Sequence, residues 1–164
     1  MNIYRFQPDS NFLKQGFFME DENKNKIMEA IHVKQSIFTA SEFKFVNNRT
    51  GKEETHKVGK TGTWESSGLF PLLSIKSSFK FDDKDIWKLI HEKGINIESK
   101  IAISNIGMEY DIIKEGKVIG SATTAHLGII PTPYVYDVLA EDDYLEDVFL
   151  IVFAIARTDQ VLYS

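Results

Sequence analysis

Val148-Phe149-Leu150-Ile151-Val152-Phe153-Ala154-Ile155-Ala156 is the longest apolar run of the chain, nine residues. A membrane-spanning helix needs about 20, so this run is too short to cross a bilayer. Glu141, Asp142 and Asp143 precede it and Arg157 follows it. Acids at the start and a cation at the end suit a helix dipole. The sequence therefore predicts a helix from Glu141 to about Arg157. The β-branched content would also allow a buried strand by periodicity alone; the flanking charges decide for helix. A helix apolar on every side must be buried on every side, and its surroundings must then be protein.

Working outward, the rest of the chain reads as short strands. Phe17 to Glu20 and Lys26 to His32 flank the polar run Asp21-Glu22-Asn23-Lys24-Asn25 and predict a hairpin. Glu42 to Val46 alternates, turns through Asn47-Asn48-Arg49-Thr50-Gly51, and continues as a polar strand from Lys52 to Val58. Glu109 to Ile113 and Val118 to Thr124 flank Lys114-Glu115-Gly116-Lys117, a third hairpin. Lys26, Lys52 and Lys117 close the three turns, which gives the hairpins the look of a repeated strand–turn–strand unit. A shorter helix is expected after Phe81-Asp82-Asp83, with Ile86, Leu89 and Ile90 as its apolar stripe and Gly94 as its stop. The segment Gly62 to Phe70 reads as a loop or irregular strand end. Strands with one apolar face, together with a helix apolar all round, predict a closed antiparallel barrel with the helix in its centre. Closure also removes exposed sheet edges.

Composition narrows the function classes. The 164 residues fit a single domain over 1–164, which can bury roughly 70% of its unfolded surface without a staple. With 43% apolar and 26% charged residues the chain has the balance of a folded globular protein, which excludes disorder. There is no cysteine, which excludes disulfide scaffolds, zinc–thiolate sites and thiol catalysis. A net charge of −5 argues against nucleic acid and against general adhesion to anionic membranes. Met1 to Asp9 lacks a basic stretch followed by an apolar run, so no signal peptide is expected, and Asn48-Arg49-Thr50 is discounted as a glycosylation site. The expected location is cytoplasmic, with a peripheral position at a membrane if the ligand is a lipid.

The chain resembles the tubby-like superfamily, and within it the small bacterial relatives of the LURF-one-related proteins. The residues that carry the resemblance are the hairpins around Asp21-Glu22-Asn23 and Asn48-Arg49-Thr50-Gly51, the stretch Tyr110 to Gly120, and the acidic-then-apolar segment from Glu141 to Arg157. The resemblance covers nearly the whole chain and rests on the order and character of the elements. It implies a mainly β (α+β) fold, a closed antiparallel barrel of about twelve strands around a central hydrophobic C-terminal helix. Relatives include tubby proteins, which bind phosphoinositide headgroups, and phospholipid scramblases. Neither the basic lipid site of the former nor the calcium segment of the latter has a matching motif here.

Catalytic and metal motifs are weak. Gly59-Lys60-Thr61 lacks the earlier glycine of a phosphate-binding loop, because that position is Glu54. His32, His56, His91 and His126 show no helical metal spacing. Ser66-Ser67-Gly68 and Ser77-Ser78 lack the Gly-x-Ser-x-Gly elbow. No catalytic residue, metal ligand or cofactor is assigned. The basic residues Lys52, Lys57, Lys60, Lys76, Lys80, Lys84 and Lys88 cluster in the middle of the chain near Trp64, Phe70 and Trp87. From these, Lys60, Trp64, Lys76, Lys80, Lys84, Trp87 and Lys88 are the candidate ligand-binding set, for an anionic headgroup. Interleaved acids, Glu53, Glu54, Glu65, Asp82, Asp83 and Asp85, dilute that patch. The first expectation is therefore a non-enzymatic binding or scaffold protein whose partner is a phospholipid headgroup or another protein. The alternative is a small-molecule-binding protein or enzyme with a pocket at a barrel mouth. Convergent polar groups in a pocket favour the alternative, and a flat basic or aromatic patch favours the first.

Overall fold

Alternation of apolar and polar side chains builds the strands. In β1 (Asn2–Pro8), Tyr4 and Phe6 are buried while Ile3 and Arg5 face outward. The structure, a computed structural model, describes residues 1–9, 16–34, 41–58, 63–66, 77–80, 90, 92–101, 108–127 and 130–163. Ten further strands follow: β2 (Phe17–Glu20), β3 (Lys26–Lys34), β4 (Ser41–Asn47), β5 (Glu53–Val58), β6 (Thr63–Ser66), β7 (Ser77–Lys80), β8 (Ile95–Ile101), β9 (Met108–Lys114), β10 (Lys117–Leu127) and β11 (Ile130–Ala140). A single 3-10 turn, Asp142–Tyr144, leads into helix α1 (Leu145–Tyr163). The three expected hairpins are β2–β3, β4–β5 and β9–β10.

All eleven strands belong to one antiparallel sheet in the order β5-β4-β3-β2-β1-β11-β10-β9-β8-β7-β6. Every strand but one pair sits beside its neighbour in sequence. The exception joins the first strand to the last, with Tyr4 opposite Val138. The two edge strands, β5 and β6, are themselves consecutive in the chain. The order therefore runs from β5 at one edge to β6 at the other, and among the described residues nothing pairs these two edges. The expected closed barrel of about twelve strands is corrected to an open sheet of eleven. A physical reason lies in β5, where Glu53, Glu54 and Thr55 are all exposed. A charged, solvated strand is how sheet edges resist further pairing.

The helix has the predicted environment. Every residue from Val148 to Ala156 is buried, the most exposed being Leu150 at 8%. At about 100° per residue these side chains point in all directions, so α1 is enclosed on every face from Val148 to Ala156. Phe153 meets Phe17, Phe43 and Phe45 edge-on, with ring centroids 5.7, 5.0 and 5.0 Å apart. Phe149 packs on Phe6 at 5.6 Å. On the opposite side the sheet comes so close that only glycine fits: a Cβ on Gly120 would lie 2.6 Å from the Leu139 carbonyl oxygen and 2.8 Å from Val148 Cγ2.

The helix boundaries differ from the sequence reading. The first turn, Asp142–Tyr144, is 3-10, and α1 continues to Tyr163. Arg157 is therefore not at the helix end; it lies within α1, over the Phe43 ring at 5.5 Å. Within Gly62 to Phe70, expected as a loop or irregular strand end, Thr63–Ser66 forms a strand paired with β7. Alternation over so few residues is too short to separate from a polar loop by sequence. Most of the shorter helix lies outside the described residues. Its end is seen: Ile90 is helical and fully buried, Lys93 N–H donates to the Ile90 carbonyl at 3.2 Å, and Gly94 has φ +69°.

Candidate functional site

The turn of the β4–β5 hairpin builds one wall of the site. Asn47, the last residue of β4, accepts hydrogen bonds on Oδ1 from the backbone N–H groups of Arg49 (3.0 Å) and Thr50 (3.3 Å). Its Nδ2 donates to Glu146 Oε1 at 2.8 Å, in the first turn of α1. Gly51, at φ +77°, lets the chain return so that Lys52 opens towards the same carboxylate. Lys52 Nζ lies 3.4 Å from Glu146 Oε2 and 3.1 Å from Glu54 Oε1. Glu54 and His56, two apart on β5, share one strand face; His56 Nε2 is 3.0 Å from Glu54 Oε2.

The other wall comes from the far side of the sheet. Asp147, next along α1 and nearly buried, accepts from Lys93 Nζ at 3.0 Å and from Lys114 Nζ at 3.1 Å. Outside these, Lys117 pairs with Glu141 at 3.0 Å. Asp142 accepts from Asn2 Nδ2 at 2.7 Å and the Tyr4 hydroxyl at 3.0 Å, with Arg49 3.6 Å away. Two of the acids predicted to serve the helix dipole, Glu141 and Asp142, thus also hold side chains from β1, β10 and the β4–β5 turn. Of the three turn lysines, Lys52 meets Glu146 and Lys117 meets Glu141, whereas Lys26 lies over the Phe18 ring at 4.4 Å.

Between the walls lies a cleft of about 70 Å³ whose floor is Met28, Phe45, Phe149 and Leu150. Its rim is Asn47, Lys52, Glu54, His56, Lys93, Glu146 and Asp147. A wider depression of about 380 Å³ adjoins it, bounded also by Arg49, Asp142 and Asp143; Asn47, Lys93, Glu146 and Asp147 belong to both.

The electrostatics follow the contacts. The Lys52 ammonium is held above its ordinary pKa, first by its hydrogen bond to Glu54 and then by the Glu146 charge. Glu54 is held below the usual carboxylate range by its hydrogen bond with His56 and then by Lys52. Lys114 is raised by its bond to Asp147. Asp142 is lowered by donation from Asn2 and Tyr4. The exposed pairs, those of Lys52 and Arg49, are screened by water, so they orient groups more than they stabilise the fold. Among the described lining residues of the cleft there is no serine, threonine or tyrosine hydroxyl to serve as a nucleophile. Among the described residues no three His, Asp or Glu side chains stand together as a metal site would require, and no helix is long and apolar enough to cross a membrane.

Of the predicted ligand-binding set, Lys60, Lys76, Lys84, Trp87 and Lys88 lie outside the described residues. So does Gly59-Lys60-Thr61. Trp64 is in β6 opposite Phe79, and Lys80 is in β7 opposite Thr63, so these two occupy neighbouring rungs of one ladder. Lys52, counted in the wider basic group, lines the cleft, and Lys57 stands in β5 opposite Glu42. Sequence reasoning missed Asn47, Glu54, His56, Lys93, Glu146 and Asp147 as a group. The available signal was the pair of acids in the first turn of an otherwise apolar helix, which need partners at the sheet end.

Comparison of the chain with family models, with curated proteins and with solved structures finds no match.

Proposed function

We propose that the protein is a non-enzymatic, tubby-like binding protein whose ligand is a small molecule held in the cleft where α1 enters the sheet. One observation carries this reading: polar groups from β4, β5, α1 and the turn before β8 converge over an apolar floor. Such a combination is what small-ligand sites use, an apolar body for affinity and a few placed polar groups for orientation. The tubby-like reading draws on the single antiparallel sheet and on the buried apolar segment of the C-terminal helix. An anionic phospholipid headgroup suits this cleft poorly, because two lysines face three carboxylates in its lining. The headgroup reading rests instead on Lys60, Trp64, Lys76, Lys80, Lys84, Trp87 and Lys88, of which Trp64 and Lys80 are among the described residues.

Amide-resolved NMR titration with a set of small fragments separates the two. The cleft reading expects shift changes concentrated at Phe45, Asn47, His56 and Phe149. Changes confined to Trp64 and Lys80, produced by soluble inositol phosphates, would contradict it.

A further inference from the structure

Two ion clusters that share no residue and carry opposite surplus charge meet at the rim of the cleft, the second reaching beyond it to Lys114. In the first, a single ammonium, Lys52, serves two carboxylates, Glu54 at 3.1 Å and Glu146 at 3.4 Å. His56 and Asn47 fix the remaining oxygens of these acids, at 3.0 and 2.8 Å. In the second, a single carboxylate, Asp147, serves two ammonium groups, Lys93 at 3.0 Å and Lys114 at 3.1 Å. The Asp147 carboxylate is only 12% exposed, whereas the Lys93 side chain is 40% exposed and lines both the cleft and the depression beside it. Lys93 is therefore the reachable positive group of the second cluster. Lys52 is the most exposed of the rim lysines at 54% and can swing aside on its flexible stem.

A purely anionic ligand meets Lys93 but is opposed by Glu54 and Glu146. A purely cationic one satisfies those two acids and leaves Lys93 unused. A ligand with both charges complements both clusters, and the floor of Phe45, Phe149 and Leu150 rewards a short apolar body.

We propose that the cleft binds a small zwitterion with an apolar body, of the α-amino acid class. Its ammonium lies between Glu54 and Glu146, its acid group lies at Lys93, and its side chain lies on the floor. This rests on the reading of the cleft as the ligand site. The same ammonium–anion chemistry occurs in an ethanolamine phospholipid headgroup, so the source of the zwitterion is separated by experiment.

The test titrates the full chain by NMR with L-norleucine and three analogues: n-pentylamine without the carboxylate, hexanoate without the amine, and neutral 1-pentanol. Norleucine should bind at least about tenfold more tightly than any analogue, and more weakly as salt is added. Glu54→Gln and Lys93→Met, both at solvent-reachable positions, should each reduce norleucine to the affinity of a one-charge analogue. Equal affinity for pentylamine or hexanoate, or no binding of norleucine, overturns the proposal. If pentanol alone shifts Phe45 and Phe149, the zwitterion is overturned while the cleft stands; if none of the four shifts them, both fall. Flotation with phosphatidylethanolamine–phosphatidylcholine vesicles, competed by norleucine, identifies a headgroup as the source. Binding of norleucine without flotation identifies the free molecule.

Discussion

Asn47 turns a hairpin residue into a tie between sheet and helix. Its Oδ1 closes the turn on Arg49 and Thr50, while Nδ2 reaches Glu146, 99 positions further along the chain. Because Asn47 is itself buried, removing its side chain strands turn amides and a carboxylate that water does not fully reach. Asn47→Ala should lower unfolding free energy by about 1–3 kcal/mol in urea titration, and should broaden the Glu146 side-chain environment seen by NMR. The turn itself was legible, since asparagines and a glycine between alternating residues mark one. The bond to Glu146 was not, because nothing local in a sequence records a contact across most of its length. The β9–β10 turn gives the contrasting case. Glu115 and Gly116 have φ +52° and +77°, as a type I′ turn requires, and Glu-Gly between lysines announced it directly.

At the scale of elements, α1 was legible as a buried helix from composition alone, while its ends were not. Acids and arginine placed the boundaries at Glu141 and Arg157, but the acids have tertiary partners and the helix runs on to Tyr163. Phe153, fully buried against three aromatic rings, should cost about 3–5 kcal/mol when replaced by alanine, from lost burial and the cavity left behind. Gly120→Ala should cost about 1–3 kcal/mol by the opposite mechanism, overpacking between Leu139 and Val148. Chemical denaturation of the two variants checks both; a neutral Gly120→Ala would mean that the strand and the helix can separate. No sequence signal marked Gly120, which reads only as a weak spot in a strand.

The ion pairs at the helix entrance set a pH range. Glu54 and Asp142 have depressed pKa values in the folded state, the first through His56 and the second through Asn2 and Tyr4. Their contribution is present above the ordinary carboxylate value of about 4 and is lost as pH falls through the depressed value. Lys52, Lys114 and Lys117 are raised by Glu54, Asp147 and Glu141. Their contribution is present below about 10.4 and is lost as pH rises through the raised value. Thermal melts followed by circular dichroism should therefore show a midpoint that is flat from about pH 5 to 9 and falls on both sides. A step between pH 6 and 7.5 would mean that a histidine governs stability instead.

For the whole molecule, the antiparallel, mainly β plan followed from alternation and hairpin spacing. Closure did not, because the pairing of edge strands depends on their outward hydrogen-bonding groups and not on which face is apolar. The candidate site was missed for a related reason. Lysines close in sequence suggest a basic patch, whereas the cleft gathers Lys52, Lys93 and Glu146 from distant elements. The overall charge still has a consequence. At a net −5, binding to mixed anionic liposomes should be weak and lost at moderate salt, since any basic patch is local and screened. Tight, salt-resistant flotation would point instead to insertion of the apolar helix.

The enclosure of α1 underlies both the fold and the cleft, whose floor includes Phe149 and Leu150. Its most direct test is cooperative thermal unfolding of three single variants, Phe149→Asp, Ile151→Asp and Val152→Asp. These positions point in different directions around the helix, and each is at most 2% exposed. An unpaired carboxylate at any of them would sit in an apolar interior, so none of the three should give a cooperative transition. A variant that stays soluble and melts cooperatively near the parent would show that one face of the helix reaches solvent, and would contradict the enclosed-helix account.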